Sequence, residues 1–372
     1  MKIALWIIGS VVVVFGVVIG VGIWLFQKEI GKEDPEYIVE FLKEKADKGN
    51  VALTIHYNQE SWVRVNGNQT LPLASTVKTI IAIEYAKQAA AGQIAPEQAV
   101  SFEDLENFYI PKTDGGAHEA WLKEVKEDQT GEVPLSEVAK GMIVYSSNAN
   151  TEYLIHLLGL EKINQNLEEM QLSAHEPLYP FVSALALPKQ MIQAEGTKKE
   201  ALAQLKKMDM AEYRERALKT HKEWLHQPLD AQGKKQLMKD LNMDFQKVWS
   251  DRLPRATTDE YVAIMEKLNN KTYFDDSVYT YLDPVMEGLM ENPQNQEWLA
   301  HAGQKGGSTA FVLTMAMYAT DQHGNQTELA FFANNLSTME QAKLSRNMNA
   351  FQLKFLTDEE FREKVKSELS TL

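Results

Sequence analysis

The sequence predicts an α+β fold: an antiparallel sheet with helices on both sides and a helical subdomain inserted into the chain. Three observations lead there. Strand-patterned segments fall into two groups, residues 51–65 near the start and residues 298–334 near the end, with short turns between neighbours. Strands joined that closely pair antiparallel, because a parallel connection needs a dozen or more residues. Helix-patterned stretches fill the interval, and residues 194–247 form a charged run with Met and Leu and few turn signals. Strands first and last with helices between imply that the first and last helical segments share one face of the sheet.

Taken in order, Asp34-Pro35-Glu36 opens a helix, with Asp as N-cap, Pro at the first helical position and an acid in the first turn, and Gly49 stops it. Residues 51–57 and 61–65 are strands around a turn at Asn58-Gln59-Glu60. The apolar run 77–91 is a helix ended by Gly92, and residues 101–133, with Pro111 and Gly115-Gly116, read as irregular. Helices follow at about 135–145, 149–158 and 161–171; Pro177, Pro180 and Pro188 then break the pattern. Thr257-Thr258-Asp259 caps a helix to Leu268, and another covers about 276–290. A short strand at 298–303 precedes a hairpin of 310–320 and 328–334, turned at Asp321-Gln322-His323-Gly324-Asn325. A long amphipathic helix over 338–369 closes the chain.

At the other end, residues Ile3–Phe26 carry no charge. A helix of that length spans roughly 36 Å, enough for a tilted bilayer crossing. Trp6 and Trp24 lie where indoles favour the interfaces, and no small-x-small cleavage site follows. The expected organisation is therefore a membrane anchor over residues 1–30, lodged in the lipid bilayer through residues 3–26, and one domain over 35–370 with a helical insert at about 190–250. That gives a single-pass protein of the cell membrane with its domain outside the cytoplasm. The 372 residues suffice for one large domain or two small ones. A formal net charge of -14 argues against nucleic acid as a partner. The absence of cysteine excludes disulfides, a thiol nucleophile, cysteine zinc sites and a cysteine-linked lipid anchor. No cofactor is expected, and no metal either: His221 and His226 are five apart, off one helical face, and no His-Glu-x-x-His occurs.

Three stretches carry chemistry. The first is Ser75-Thr76-Val77-Lys78, where no other serine of the chain has Lys three positions on. At a helix start the two side chains share a face, and the free N–H groups favour an oxyanion at Ser75. A desolvated lysine there can lose its proton and act as base for the serine. The second stretch is Ser146-Ser147-Asn148, between two helices, and the third is Lys305-Gly306-Gly307-Ser308. Alone, Ser146 and Asn148 also suit a helix cap, and Lys305 a solvated strand end.

Together and in this order, Ser-x-x-Lys, Ser-x-Asn and Lys-x-Gly resemble the motif set of class A β-lactamases and penicillin-binding proteins. Arg255-Ala256-Thr257-Thr258 also resembles the end of that family's Ω-loop, and the likeness covers roughly residues 35–370. The resemblance implies a β-lactamase/transpeptidase-like fold in a bacterial, membrane-anchored, exported serine hydrolase. Its substrate would be a β-lactam or a related peptidoglycan-derived D-alanyl peptide or ester. A D,D-carboxypeptidase, a cell-wall esterase and a non-enzymatic penicillin-binding sensor or scaffold are the alternatives. It also implies roles. Ser75 would be acylated, Lys78 would activate it, and Ser146 would pass a proton to the leaving nitrogen. Asn148, Lys305 and Ser308 would bind substrate, and the backbone N–H groups of Ser75 and Ser308 would form the oxyanion hole. Departures from the pattern are Ser147 and Ala256, each where the family has Asp, and Gly306, which lacks a hydroxyl. Glu176, followed by Pro177, is the candidate deacylation base, although a long stretch separates it from Arg255. These departures imply that acylation outruns hydrolysis.

Overall fold

The structure, a computed structural model, describes residues 33–125 and 131–372. The chain begins with α1 (Glu36–Lys45), whose first turn is bonded by the Asp34 carboxylate (Glu36 N–H to Oδ1, 3.0 Å). β1 (Val51–Tyr57) and β2 (Glu60–Val65) form a hairpin with Asn58 and Gln59 both at positive φ, the conformation a two-residue turn between twisted strands requires. β3 (Leu71–Pro72) leads through a 3₁₀ turn, Ala74–Val77, into α2 (Lys78–Ala90). β4 (Ala99–Ser101), α3 (Phe102–Glu106), α4 (Ala117–Val125) and β5 (Glu132–Pro134) follow. Then come α5 (Leu135–Val144), α6 (Asn148–Leu158) and α7 (Leu160–Glu169).

Five further helices fill the middle of the chain: α8 (Leu187–Glu195), α9 (Lys198–Lys207), α10 (Met210–His226), α11 (Ala231–Asp240) and α12 (Met243–Asp251). Thr197, Asp209, Asp230 and Asn242 cap the last four, each side chain accepting a first-turn N–H. β6 (Arg255–Ala256), α13 (Thr258–Asn270), α14 (Asp276–Met286) and α15 (Pro293–Gln296) return the chain to the sheet. β7 (Leu299–Ser308), β8 (Leu313–Asp321) and β9 (Gln326–Ala333) complete it, and α16 (Thr338–Thr357) and α17 (Glu359–Leu369) end the fold.

The sheet runs β2-β1-β9-β8-β7 and every pairing is antiparallel. Successive side chains of a strand face opposite sides, and the burial follows that period. Leu329, Phe331 and Ala333 of β9, with Leu53 and Ile55 of β1, pack under α1, α16 and α17, whose Phe351, Phe355 and Val365 are fully buried. Ala330 and Phe332 join the larger core on the other face, among α2, α5, α6 and α13. Each buried Leu, Ile, Val or Phe side chain among these contributes about 1.5–3 kcal/mol. The α+β layering expected from the sequence, with terminal helices on one face, is thus the observed one.

The excursion that carries α8–α12 has a stitched neck. Glu176 N–H donates to Arg255 O (2.8 Å), Leu73 N–H donates to Pro254 O (2.9 Å), and β3 pairs with β6 through Leu71 and Ala256. The neck therefore lies against the residues that lead into Ser75.

Several expectations need correction. The membrane-spanning helix expected over residues 3–26 is not supported: among the described residues no helix is long and apolar enough to cross a membrane, and residues 3–26 lie outside the described residues. The stretch 101–133, read as irregular, holds α3, α4 and β5, because Ser101 caps a short helix and Trp121 and His118 are buried on another. β7 extends through Ser308 instead of ending near 303, its glycines accommodating close packing. The closing helix is two helices, divided at Asp358, which leaves helical geometry and caps the second by accepting Phe361 N–H.

Candidate active site

Four local structures meet at one cleft of about 640 Å³: the turn before α2, the α5–α6 junction, the end of β7 and a loop over 112–115. Ser75 lies in the 3₁₀ turn, half-buried, and no hydrogen bond among the described residues engages its Oγ. The turn is fixed from below. Thr314 Oγ1 donates to Leu73 O (2.7 Å) and lies 2.7 Å from Thr76 Oγ1, and Thr76 Oγ1 donates to Lys305 O (3.3 Å). Gly307 is the point of closest approach: a Cβ there would sit 2.4 Å from Ser75 N and 2.8 Å from Thr76 N. Only glycine lets β7 lie so near the nitrogen that would face an oxyanion.

Lys78, one turn after Ser75, is completely buried beneath the cleft. Its Nζ donates to Ser146 O (2.7 Å) and Asn148 Oδ1 (3.0 Å) and lies 3.3 Å from Ser146 Oγ. Burial, reinforced by the charge of Lys305, holds its ammonium well below the usual lysine value. Lys305 Nζ reaches the same hydroxyl from β7, donating to Ser146 Oγ (3.0 Å) and Gly306 O (2.7 Å). Burial brings Lys305 down to about 7. Ser146 Oγ therefore lies between two lysine nitrogens whose ammonium forms are both disfavoured by burial. Its backbone is held at φ +70, a conformation costly for a residue with a Cβ.

Ser147 and Asn148 start α6. Ser147 is fully buried, caps the helix by accepting Asn150 N–H (3.2 Å), and lies 2.8 Å from His118 Nδ1. Ser147 thus acts as a structural cap and not as a charge in the cleft. Ser308 ends β7 and lines the cleft with Ser75.

Glu176 is not brought to this site. It does not line the cleft, and its carboxylate pairs with Arg214 Nη2 at 3.1 Å. The stretch expected to carry a base is drawn into the excursion's neck, and α12 supplies Gln246, Trp249 and Ser250 to the cleft wall instead. Trp249 Nε1 donates to Phe181 O (2.8 Å), tying the two parts of that wall together.

These features match a known family. The model of the β-lactamase enzyme family fits residues 36–282 of the chain. The chain belongs to that family. Among solved structures, a β-lactamase of Sphaerobacter thermophilus is 18% identical, covering 88% of this chain and 99% of its own, with a TM-score of 0.50. The chromosome-encoded β-lactamase of Vibrio parahaemolyticus is 11% identical over 88% of this chain and 100% of its own, with a TM-score of 0.53. A class A β-lactamase representative from Bacteroides cellulosilyticus is 15% identical over 92% and 100%, with a TM-score of 0.50. These structures share the fold. No curated protein matches the sequence. The protein is a serine hydrolase of the β-lactamase type.

Two residues of the site region carry no sequence motif. Asp114 accepts Asn148 N–H (3.2 Å), His118 N–H (3.3 Å) and Gly116 N–H (3.2 Å), fixing the 110–116 loop to α6. Glu152, fully buried one turn after Asn148, accepts Val182 N–H (2.9 Å) and Ser183 Oγ–H (2.6 Å), and His221 Nδ1 lies 2.7 Å away. A lone Asp in a loop and a Glu in a helix gave no signal; only the fold brings their donors together.

Proposed function

We propose that this family member acts through an acyl-enzyme on β-lactams or related D-alanyl peptides and esters, and that it deacylates slowly. The observation that carries the reading is the arrangement at Ser146, whose hydroxyl lies within 3.3 Å of Lys78 Nζ and 3.0 Å of Lys305 Nζ beside a free Ser75. Ser75 Oγ attacks the substrate carbonyl and gives its proton to the Lys78 amine. The tetrahedral oxyanion is received by the N–H groups of Ser75 and Ser308. Ser146 delivers a proton to the leaving nitrogen and is reprotonated from Lys78, with Lys305 supporting the hydroxyl. Asn148 and Ser308 hold the substrate's amide and carboxylate.

Hydrolysis of the acyl-enzyme needs a base for water. Among the described residues lining the cleft Asp114 is the one carboxylate, and three N–H groups already occupy it. Acylation therefore outruns hydrolysis. We place the domain outside the cytoplasm, where such substrates are met, and protease added to intact cells is expected to digest it. Incubation with a β-lactam followed by peptide mass mapping tests the chemistry: the acyl adduct is expected on Ser75, and a Ser75→Ala protein is expected to form none. An adduct on Ser146 would refute the assignment.

A further inference from the structure

We infer that Lys112 selects substrates carrying a second anionic group, received on the cleft wall formed by the 110–116 loop. The inference rests on the acyl-enzyme reading above and adds a substrate class to it. Among the described residues that line the cleft, Lys112 is the one Lys or Arg; Lys78 and Lys305 are buried beneath it. Lys112 is exposed, and no hydrogen bond or ion pair among the described residues engages its ammonium. The only acid of the lining, Asp114, has its oxygens turned to three backbone N–H groups and makes no ion pair with it. In a chain of net charge -14, a cation without an ion-pair partner among the described residues at the mouth of the reactive cleft is the exception. Fields focus in clefts, so it draws anions toward Ser75.

The backbone adds a second observation. Lys112 sits at φ +66, which glycine adopts freely and a residue with a side chain adopts uncommonly and at a cost. The surrounding loop enforces this conformation. Thr113 Oγ1 donates to Ile110 O (2.8 Å), and Asp114 clamps the next turn to Asn148, a residue of the site itself. Non-glycine residues kept at such angles by their surroundings concentrate at ligand clamps. Apart from Asp114, the rest of the outer lining is uncharged among the described residues, with Thr113, Tyr145, Gln246 and Asn349, so no other exposed cation of the described lining competes for the anion.

The test uses two chromogenic cephalosporins identical except for one additional carboxylate on the acyl side chain, with the acylation rate constant over apparent Kd measured for wild type, Lys112→Ala and Lys112→Glu. Wild type is expected to favour the dicarboxylate about fivefold at low salt, the scale of one exposed charge pair, and less at high salt. Lys112→Ala is expected to lose the preference and Lys112→Glu to reverse it. A preference that stays the same in both variants, or that ignores salt, overturns the inference while leaving acylation at Ser75 intact. No adduct from either compound overturns the acyl-enzyme reading itself and this inference with it.

Discussion

Replacing Lys305 by Met exposes the cost of the site's electrostatics. Burial takes this lysine from the ordinary 10.5 to about 7. A depression of that size corresponds to roughly 5 kcal/mol of penalty when the folded protein must keep the ammonium. The sign follows from proton counts. Below pH 7 both folded and unfolded states hold the proton, and the folded state carries the full penalty. Between about 7 and 10.5 the unfolded chain binds the proton and the folded one does not, so stability rises with pH across that window. Met fills a similar volume without charge, but Ser146 Oγ and Gly306 O lose their donor, a cost of about 1 kcal/mol each. Lys305→Met is therefore expected to be about 2–3 kcal/mol more stable than wild type near pH 6, an advantage that shrinks toward pH 10. Urea denaturation midpoints of both proteins across pH 6–10 check this, with Lys78 present in each. Acylation should fall by about a hundredfold or more, since Ser146 loses a partner. Midpoints that move in parallel across the whole range would refute the claim that burial brings Lys305 down to about 7.

Gly307→Ala places a Cβ 2.4 Å from the Ser75 backbone nitrogen, so β7 or the turn must shift. It is expected to cost about 1–3 kcal/mol in thermal or urea denaturation and to depress acylation more than substrate binding. Glu176→Gln removes only a partly exposed pair with Arg214, so acylation and turnover should stay within about threefold of wild type in the same cephalosporin assay. Abolished turnover in that variant would restore Glu176 as the base.

The sheet and its two helical faces were legible because period-2 strands, short turns and caps such as Thr257 are local signals. The Ser75, Ser146 and Lys305 stretches were legible as a motif set, and the fold brings them within hydrogen-bond reach across 68 and 159 residues of sequence. What stayed hidden depends on tertiary context. Glu176 has the flanking proline expected of a base, yet its neighbours are drawn into the neck at Arg255 and its carboxylate finds Arg214. The run 194–247 read as one helical segment although Thr197, Asp209, Asp230 and Asn242 mark its divisions. Its wall residues Gln246 and Trp249 become part of the site only when α12 meets the residue after β7, where Ser250 Oγ donates to Thr309 Oγ1 at 2.9 Å. Asp114 and Glu152 act through backbone and side-chain donors that converge from distant segments, which no spacing rule encodes.

The central claim is a serine hydrolase whose acyl-enzyme forms faster than it is released. Rapid mixing of the protein with excess chromogenic cephalosporin tests it most directly. A burst of product near one equivalent of enzyme, followed by a slow steady phase about a hundred- to ten-thousandfold below the rate expected with a positioned base, is the predicted result. Fast linear turnover from the first moment, with no burst, would contradict it.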